Sequence, residues 1–334
     1  VTWDDKSGNQ PNSFSNQGIA EIVDSYISVV SNDFYFIDPN NDDSLYLTVD
    51  GPTWQQAQEN AIALGGNLVT INSEAENDFL KIFDDGTDNG ATNWKWIGYT
   101  DEGQEGNWQW VSGETVSFEG WTGSQPDGGA SQNHAAIQWA GIGDLDVTWD
   151  DKSGNQPNSF SNQGIVEIPY YQYGDSAYVL LAESTWEEAQ ANAEKLGGNL
   201  VSINSQGEQD FIVNRFINGV DDGDIGKWIG LTDKNEEGSW SWTDGSVYDN
   251  NSFTSWNINE PNDDKPNGIY AADYVLLSQN NTPWHTSHLG SWNDGTNDLG
   301  VYGHDHKASG IAEIKLPLNK ASTTASLTVN AVNN

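Results

Sequence analysis

The sequence contains neither cysteine nor methionine. The first absence removes disulfide bridges, thiolate chemistry and cysteine-ligated zinc together. Cations are scarce as well: 12 Lys and Arg stand against 50 Asp and Glu, for a formal net charge of −38. A field of that sign repels nucleic acid and anionic surfaces and attracts cations, so no nucleic-acid partner is expected. No stretch approaches the roughly 20 apolar residues that a membrane-spanning helix requires. The chain begins at Val1 without a leader-like segment, from which a mature or processed piece is expected. Nucleophile-elbow, phosphate-loop and zinc-protease signatures are all missing, and loose carboxylates in so acidic a chain carry no catalytic signal, so no enzyme is expected.

What is there is aromatic and repetitive. The 334 residues are enough for two domains with cores of their own, and 16 Trp, 12 Tyr and 10 Phe argue for buried area rather than disorder. Residues 1–22 recur at 147–168 with one difference, Ala20 against Val166, and a diverged third copy ends at Trp292-Asn293-Asp294 and Gly310–Ile314. Upstream, Trp54, Trp96 and Trp108 match Trp186, Trp228 and Trp240 at one constant spacing. That spacing lengthens between Trp108/Trp240 and Pro126/Pro261 and again before Trp149/Trp292, so length varies only between the third strand region and the W-x-D motif, as expected where loops hold the ligand site.

Each repeat is expected to open with a helix begun by a capping box, Thr53 with Gln56 and Thr185 with Glu188. Gly65-Gly66 stops the first of these helices, and strands are expected over 67–71 and 199–203. Second helices start at Ser73 and Ser205, and a strand-rich half follows from Trp96-Ile97-Gly98 and Trp228-Ile229-Gly230. In that half, period two places Trp108 and Trp110 on one face, and likewise Trp240 and Trp242.

Helix, strand, helix, W-I-G, G-x-W-x-W, then E-P-N with W-N-D or Q-P-D with W-D-D, resembles the C-type lectin-like fold in tandem, in a cysteine-free form. The fold class is therefore expected to be α+β, each domain with two helices flanking antiparallel strands and a long ligand loop. Domains are expected at 24–168 and 169–316, with 1–22 as the C-terminal part of a preceding repeat and 317–334 as a linker or the start of another module. Without disulfides the loops must be held by packing, hydrogen bonds or the metal itself.

The resemblance implies calcium (Ca2+) at the loop, a hard cation that takes six to eight oxygen ligands. In the second domain the implied metal ligands are Glu260, Asn262, Asn293 and Asp294, of which Glu260, Asn262 and Asn293 also contact sugar. The acidic ligand usual just before the next strand is replaced by Ala272, with Asp263, Asp264 or Asp273 placed to compensate. In the first domain the implied ligands are Gln125, Asp127, Asn133, Asp150 and Asp151, with Gln125, Asp127 and Asp150 on the sugar. The family's motif uses a cis-proline to aim the flanking side chains, and exchange of Glu/Asn for Gln/Asp goes with galactose-type rather than mannose-type ligands. Mannose-type glycans are thus expected at domain 2 and galactose-type at domain 1.

Trp3, Trp149 and Trp292 are read as core residues, and His285, His288, His304 and His306 as surface polar groups. The leading expectation is an extracellular or cell-surface, calcium-dependent carbohydrate-binding adhesin displayed on or released from a bacterial cell. The alternative is a structural repeat of a surface layer, matrix or filament in which calcium stiffens acidic domains. Self-association through 1–22 would serve the second.

Overall fold

The computed structural model describes residues 36–38, 41–83, 94–139, 147–154, 163–220, 225–263, 271–279, 288–298 and 308–316. Segments 1–22 and 317–334, together with Trp3, Asp264, His285, His304 and His306, lie outside the described residues. Two mixed α+β units follow one another, each built on an eight-stranded sheet of the same topology. In the first, β1 (Phe36–Asp38) and β2 (Asn41–Asp50) lead into α1 (Trp54–Ala63), β3 (Asn67–Leu68) and α2 (Glu74–Phe79). Then come β4 (Lys95–Thr100), β5 (Gln109–Trp110), β6 (His134–Trp139), β7 (Val147–Lys152) and β8 (Gln163–Pro169). In the second, β9 (Tyr171–Tyr173), β10 (Ser176–Ser184), α3 (Trp186–Lys195), β11 (Asn199–Leu200) and α4 (Gln206–Ile212) take the corresponding places. They are followed by β12 (Gly226–Thr232), β13 (Ser241–Trp242), β14 (Tyr274–Ser278), β15 (Trp292–Gly295) and β16 (Ala308–Lys315).

Each unit opens with a strand rather than with the helix expected from sequence. The longer of the two strands ahead of that helix, β2 or β10, pairs antiparallel with the last strand of its own unit, β8 or β16, so the start and end of each domain are tied together. Strand β8 also runs parallel to β4, and β16 parallel to β12, which places the terminal strand at the centre of the sheet. The expected strands at 67–71 and 199–203 shorten to two residues each, because past Leu68 the backbone leaves the ladder and bonds singly, Val69 to the Ile165 carbonyl at 2.8 Å.

Helix α3 has the full capping box: the Thr185 hydroxyl accepts from the Glu188 N–H while the Glu188 carboxylate accepts from Thr185 N–H. Helix α1 has half of it. Thr53 accepts from Gln56 N–H, but the Gln56 amide oxygen accepts from the Thr53 hydroxyl instead of returning to the backbone. Helices α2 and α4 begin at Ser73 and Ser205 as expected. Their N3 carboxylates, Glu76 and Glu208, are buried; each accepts a backbone N–H just ahead of the helix and the hydroxyl of Tyr46 or Tyr178.

The lower half of each domain is packed by tryptophan. Trp149 and Trp292 are fully buried, and each indole N–H reaches an amide oxygen on the second helix, Asn77 at 2.8 Å and Gln209 at 3.0 Å. Tyr99, Trp110, Phe118 and Trp121 pack around Trp149, and Trp242, Phe253 and Trp256 around Trp292, at ring separations of 5.7–5.9 Å. These rings underlie the long loop, so the loop base is held by buried aromatic area.

Candidate functional site

The loop leaves the core at Trp121 in domain 1 and at Trp256 in domain 2. Both residues bridge in parallel to the tryptophan of the closing strand, Trp149 or Trp292. Thr122 N–H reaches the Trp149 carbonyl at 3.1 Å and Asn257 N–H the Trp292 carbonyl at 2.9 Å. A turn then returns Gln125 N–H to Thr122 and Glu260 N–H to Asn257, and the peptide bonds Gln125–Pro126 and Glu260–Pro261 that follow are both cis.

Past the proline the two loops are held by the same device. The Asp151 carboxylate accepts two successive backbone N–H groups, Asp127 at 3.0 Å and Gly128 at 2.7 Å. Asp294 does the same for Asn262 at 3.1 Å and Asp263 at 2.7 Å. Each grip is bidentate and charge-assisted, which fixes the residues flanking the proline against β7 or β15. Asp151 is almost fully buried and Asp294 half-buried.

Several side-chain oxygens of this turn and of the residues paired with it have no donor to bond. Gln125 Oε1 and Glu260 Oε2 are buried and lack a hydrogen-bond partner, as are Asn133 Oδ1 and Asn257 Oδ1. A buried polar atom left in this way costs about 1–3 kcal/mol, so each of these oxygens calls for a donor or a cation. At Glu260 the signal is stronger. Its other oxygen accepts from Asn262 Nδ2 at 2.8 Å, while burial and then the neighbouring Asp294 carboxylate push its pKa up to about 8. Two acceptors facing each other hold either a proton or a cation.

Not every expected residue joins this cluster. Strand alternation turns Asn293 and Asp150 to the opposite side of β15 and β7 from Asp294 and Asp151. Asn293 is held by the Asn257 amide at 3.2 Å and by a short hydrogen bond to the Ser278 hydroxyl. Asp150 pairs with Lys152 at 2.6 Å, and that lysine sits over the Trp94 ring.

The intervening ligand position also needs a change of register. Sequence reasoning puts it at Asn133 in domain 1 and at Ala272 in domain 2, but Asn133 is the counterpart of Asp273, and Gln132 that of Ala272. The Asn133 carbonyl accepts from the Thr100 hydroxyl at 2.7 Å and Asp101 N–H at 3.2 Å, and Asp273 repeats both contacts with Thr232 and Asp233. Ala272 is buried, with its N–H toward Asp263 Oδ1 at 3.4 Å.

Two acidic residues that sequence reasoning passed over stand beside this position. Asp101 and Asp233 are buried; one oxygen of each accepts from Gly106 or Gly238 N–H and the other has no partner. Burial pushes Asp233 up to about 6. Their repeat at one spacing behind the two W-I-G motifs was the available signal. Among the described residues no three His, Asp or Glu side chains form a ready-made metal cage. The oxygens on offer are in part amide and backbone carbonyls, a donor set suited to a hard ion such as calcium rather than to a transition metal. His288 is exposed.

Comparison with known proteins agrees with this architecture. The Lectin C-type domain family matches twice, at residues 50–161 and 182–297, and the chain belongs to that family as a tandem of two such domains. A C-type mannose receptor 2 from Homo sapiens is 27% identical over 226 residues, covering 63% of this chain. The chain spans 14% of that receptor's length. Hepatic lectin from Gallus gallus is 38% identical over 92 residues, 28% of this chain and 41% of the lectin. Among solved structures, the cow CD23 carbohydrate-recognition domain is 25% identical, with a TM-score of 0.33 over 44% of this chain and 94% of that one. No helix among the described residues is long and apolar enough to cross a membrane.

Proposed function

We infer that the chain binds carbohydrate in a calcium-dependent manner through the two cis-proline loops, as part of an extracellular, multi-domain bacterial adhesin. One observation carries the reading: in both domains the residue before the cis-proline, Gln125 or Glu260, buries a side-chain oxygen that has no hydrogen-bond donor. A hard cation satisfies such oxygens and removes the like-charge conflict between Glu260 and Asp294. Family membership and the lectin names of the relatives support sugar as the ligand.

In domain 2 calcium would be held by Glu260, Asn262 and Asp294, with Asp273 and Asp263 beside them. In domain 1 it would be held by Gln125, Asp127 and Asp151, with Asn133 beside them. Bound calcium would accept sugar hydroxyls as ligands. The chain's own part is to orient those hydroxyls, with the carboxylates accepting their protons and the amides donating to their oxygens. Asn293 and Asp150 would join only on turning from their present partners. Exchange of donor and acceptor sides between Glu-Pro-Asn and Gln-Pro-Asp supports mannose-type ligands at domain 2 and galactose-type at domain 1.

The test is retention of the full chain on mannose and galactose resins. Elution by EDTA is expected from both, with Glu260→Ala losing the mannose resin and Gln125→Ala the galactose resin. Absence of retention on either resin in calcium, or retention indifferent to EDTA, would overturn the reading.

A further inference from the structure

The first helix of each domain ends in the same pair of residues, Gly65-Gly66 and Gly197-Gly198, but the two pairs meet different surroundings. Gly65 and Gly197 both sit at positive φ, 89° and 67°, the left-handed conformation that ends a helix. Gly66 and Gly198 both press on their own domain, where an added Cβ would come within 2.2 Å of the Glu167 carbonyl oxygen and 2.1 Å of that of Glu313. Gly65 faces the other domain. A Cβ there would lie 2.1 Å from the Leu180 carbonyl oxygen and 3.2 Å from the Val179 side chain, whereas Gly197 is exposed to solvent.

The rest of the junction is built around that contact. Helix α1 packs against β10, and one buried apolar cluster runs unbroken from Ala57, Ala61 and Leu64 into Ala177, Val179 and Ala193. Asn192 of α3 donates Nδ2 to the Ala63 carbonyl at 3.3 Å, relieving one of the unpaired carbonyls at the end of α1. Its counterpart Asn60 caps its own domain instead, at the Asp50 carbonyl. Directly after Leu180 the pairing of β10 with β16 slips in register, while β2 pairs with β8 without a break.

We propose that the end of α1 is a docking element whose partner is β10 and α3 of the second domain in the same chain, so that the two domains form one rigid unit. Domains joined by a short linker move relative to each other unless an apolar interface holds them, and this junction supplies one. The joint stands independently of what the loops bind; given the function proposed above, it holds the two loops at one mutual orientation.

Residual dipolar couplings on the full chain test it. A single alignment tensor is expected to fit both domains. Gly65→Val is expected to split it into two, while Gly197→Val, with a similar backbone cost at a solvent-facing helix end, keeps one. Asn192→Asp, which turns an acceptor toward the Ala63 carbonyl while leaving the helix end intact, serves if Gly65→Val unfolds domain 1; it too is expected to give two tensors. Two tensors in the unaltered chain would overturn the proposal, as would a single tensor in Gly65→Val with domain 1 folded or in Asn192→Asp.

Discussion

The two domains use the same clamp on the same loop, yet the first presents an amide where the second presents a carboxylate. Gln125 and Glu260 stand before cis-prolines in matching turns, and Asp151 and Asp294 grip the two N–H groups beyond. Domain 1 therefore carries the carboxylate of its turn after the proline, at Asp127, where domain 2 carries it before, at Glu260, and the domain 1 clamp is the more deeply buried. Domain 2 concentrates its conflict at Glu260, which keeps a proton near neutral pH unless a cation displaces it. Loop geometry and loop electrostatics are thus separable: geometry comes from the clamp and the tryptophans, the placement of charge from the two residues flanking the proline.

The largest expected effect breaks the shared part. Trp149→Ala and Trp292→Ala each remove a fully buried indole and its hydrogen bond, for a loss of about 3–5 kcal/mol in the affected domain. Near-ultraviolet circular dichroism during thermal unfolding should show the corresponding transition fall. A smaller effect sharpens the contrast between clamps: Asp151→Ala and Asp294→Ala each leave two N–H groups without their acceptor, at about 1–3 kcal/mol apiece. The loss should be greater for Asp151, whose site is closed to water. Equal losses in the same unfolding assay would show that burial does not distinguish the two clamps.

The pH dependence separates the charges. An ordinary glutamate loses its proton near 4.5, whereas Glu260 in the fold holds it to about 8. In chelator its contribution to the stability of domain 2 should therefore decline as pH rises from about 4.5 to about 8 and then level off. Calcium binding there should release a proton and strengthen over that interval. Gln125 has no proton to release, so proton release measured in buffers of different ionisation enthalpy should vanish at neutral pH in Glu260→Gln. The smallest expected effect is a change of preference: Glu260→Gln combined with Asn262→Asp should shift domain 2 from mannose toward galactose on a glycan array.

The order of elements was legible because capping residues, the Gly65-Gly66 stop and the W-I-G and G-x-W-x-W patterns are local signals repeated twice. The opening strands β2 and β10 were missed because their pairing partners, β8 and β16, lie at the far ends of the domains, and long-range pairing leaves no local mark. At the site, the proline turn and Asp151/Asp294 could be named from sequence. The outward turn of Asp150 and Asn293 could not, because it depends on Lys152, Ser278 and Asn257 offering partners across strands. The equivalence of Asn133 with Asp273 was hidden by the longer loop in domain 2, and emerges only through the shared contacts with Thr100 and Thr232.

Calcium titrated calorimetrically into the full chain and into the Gln125→Ala, Glu260→Ala double variant tests the central claim most directly. Saturable binding is predicted in the unaltered chain, weakened at least about tenfold in the double variant. Equal binding by both proteins, or no binding by the unaltered chain, would contradict the account.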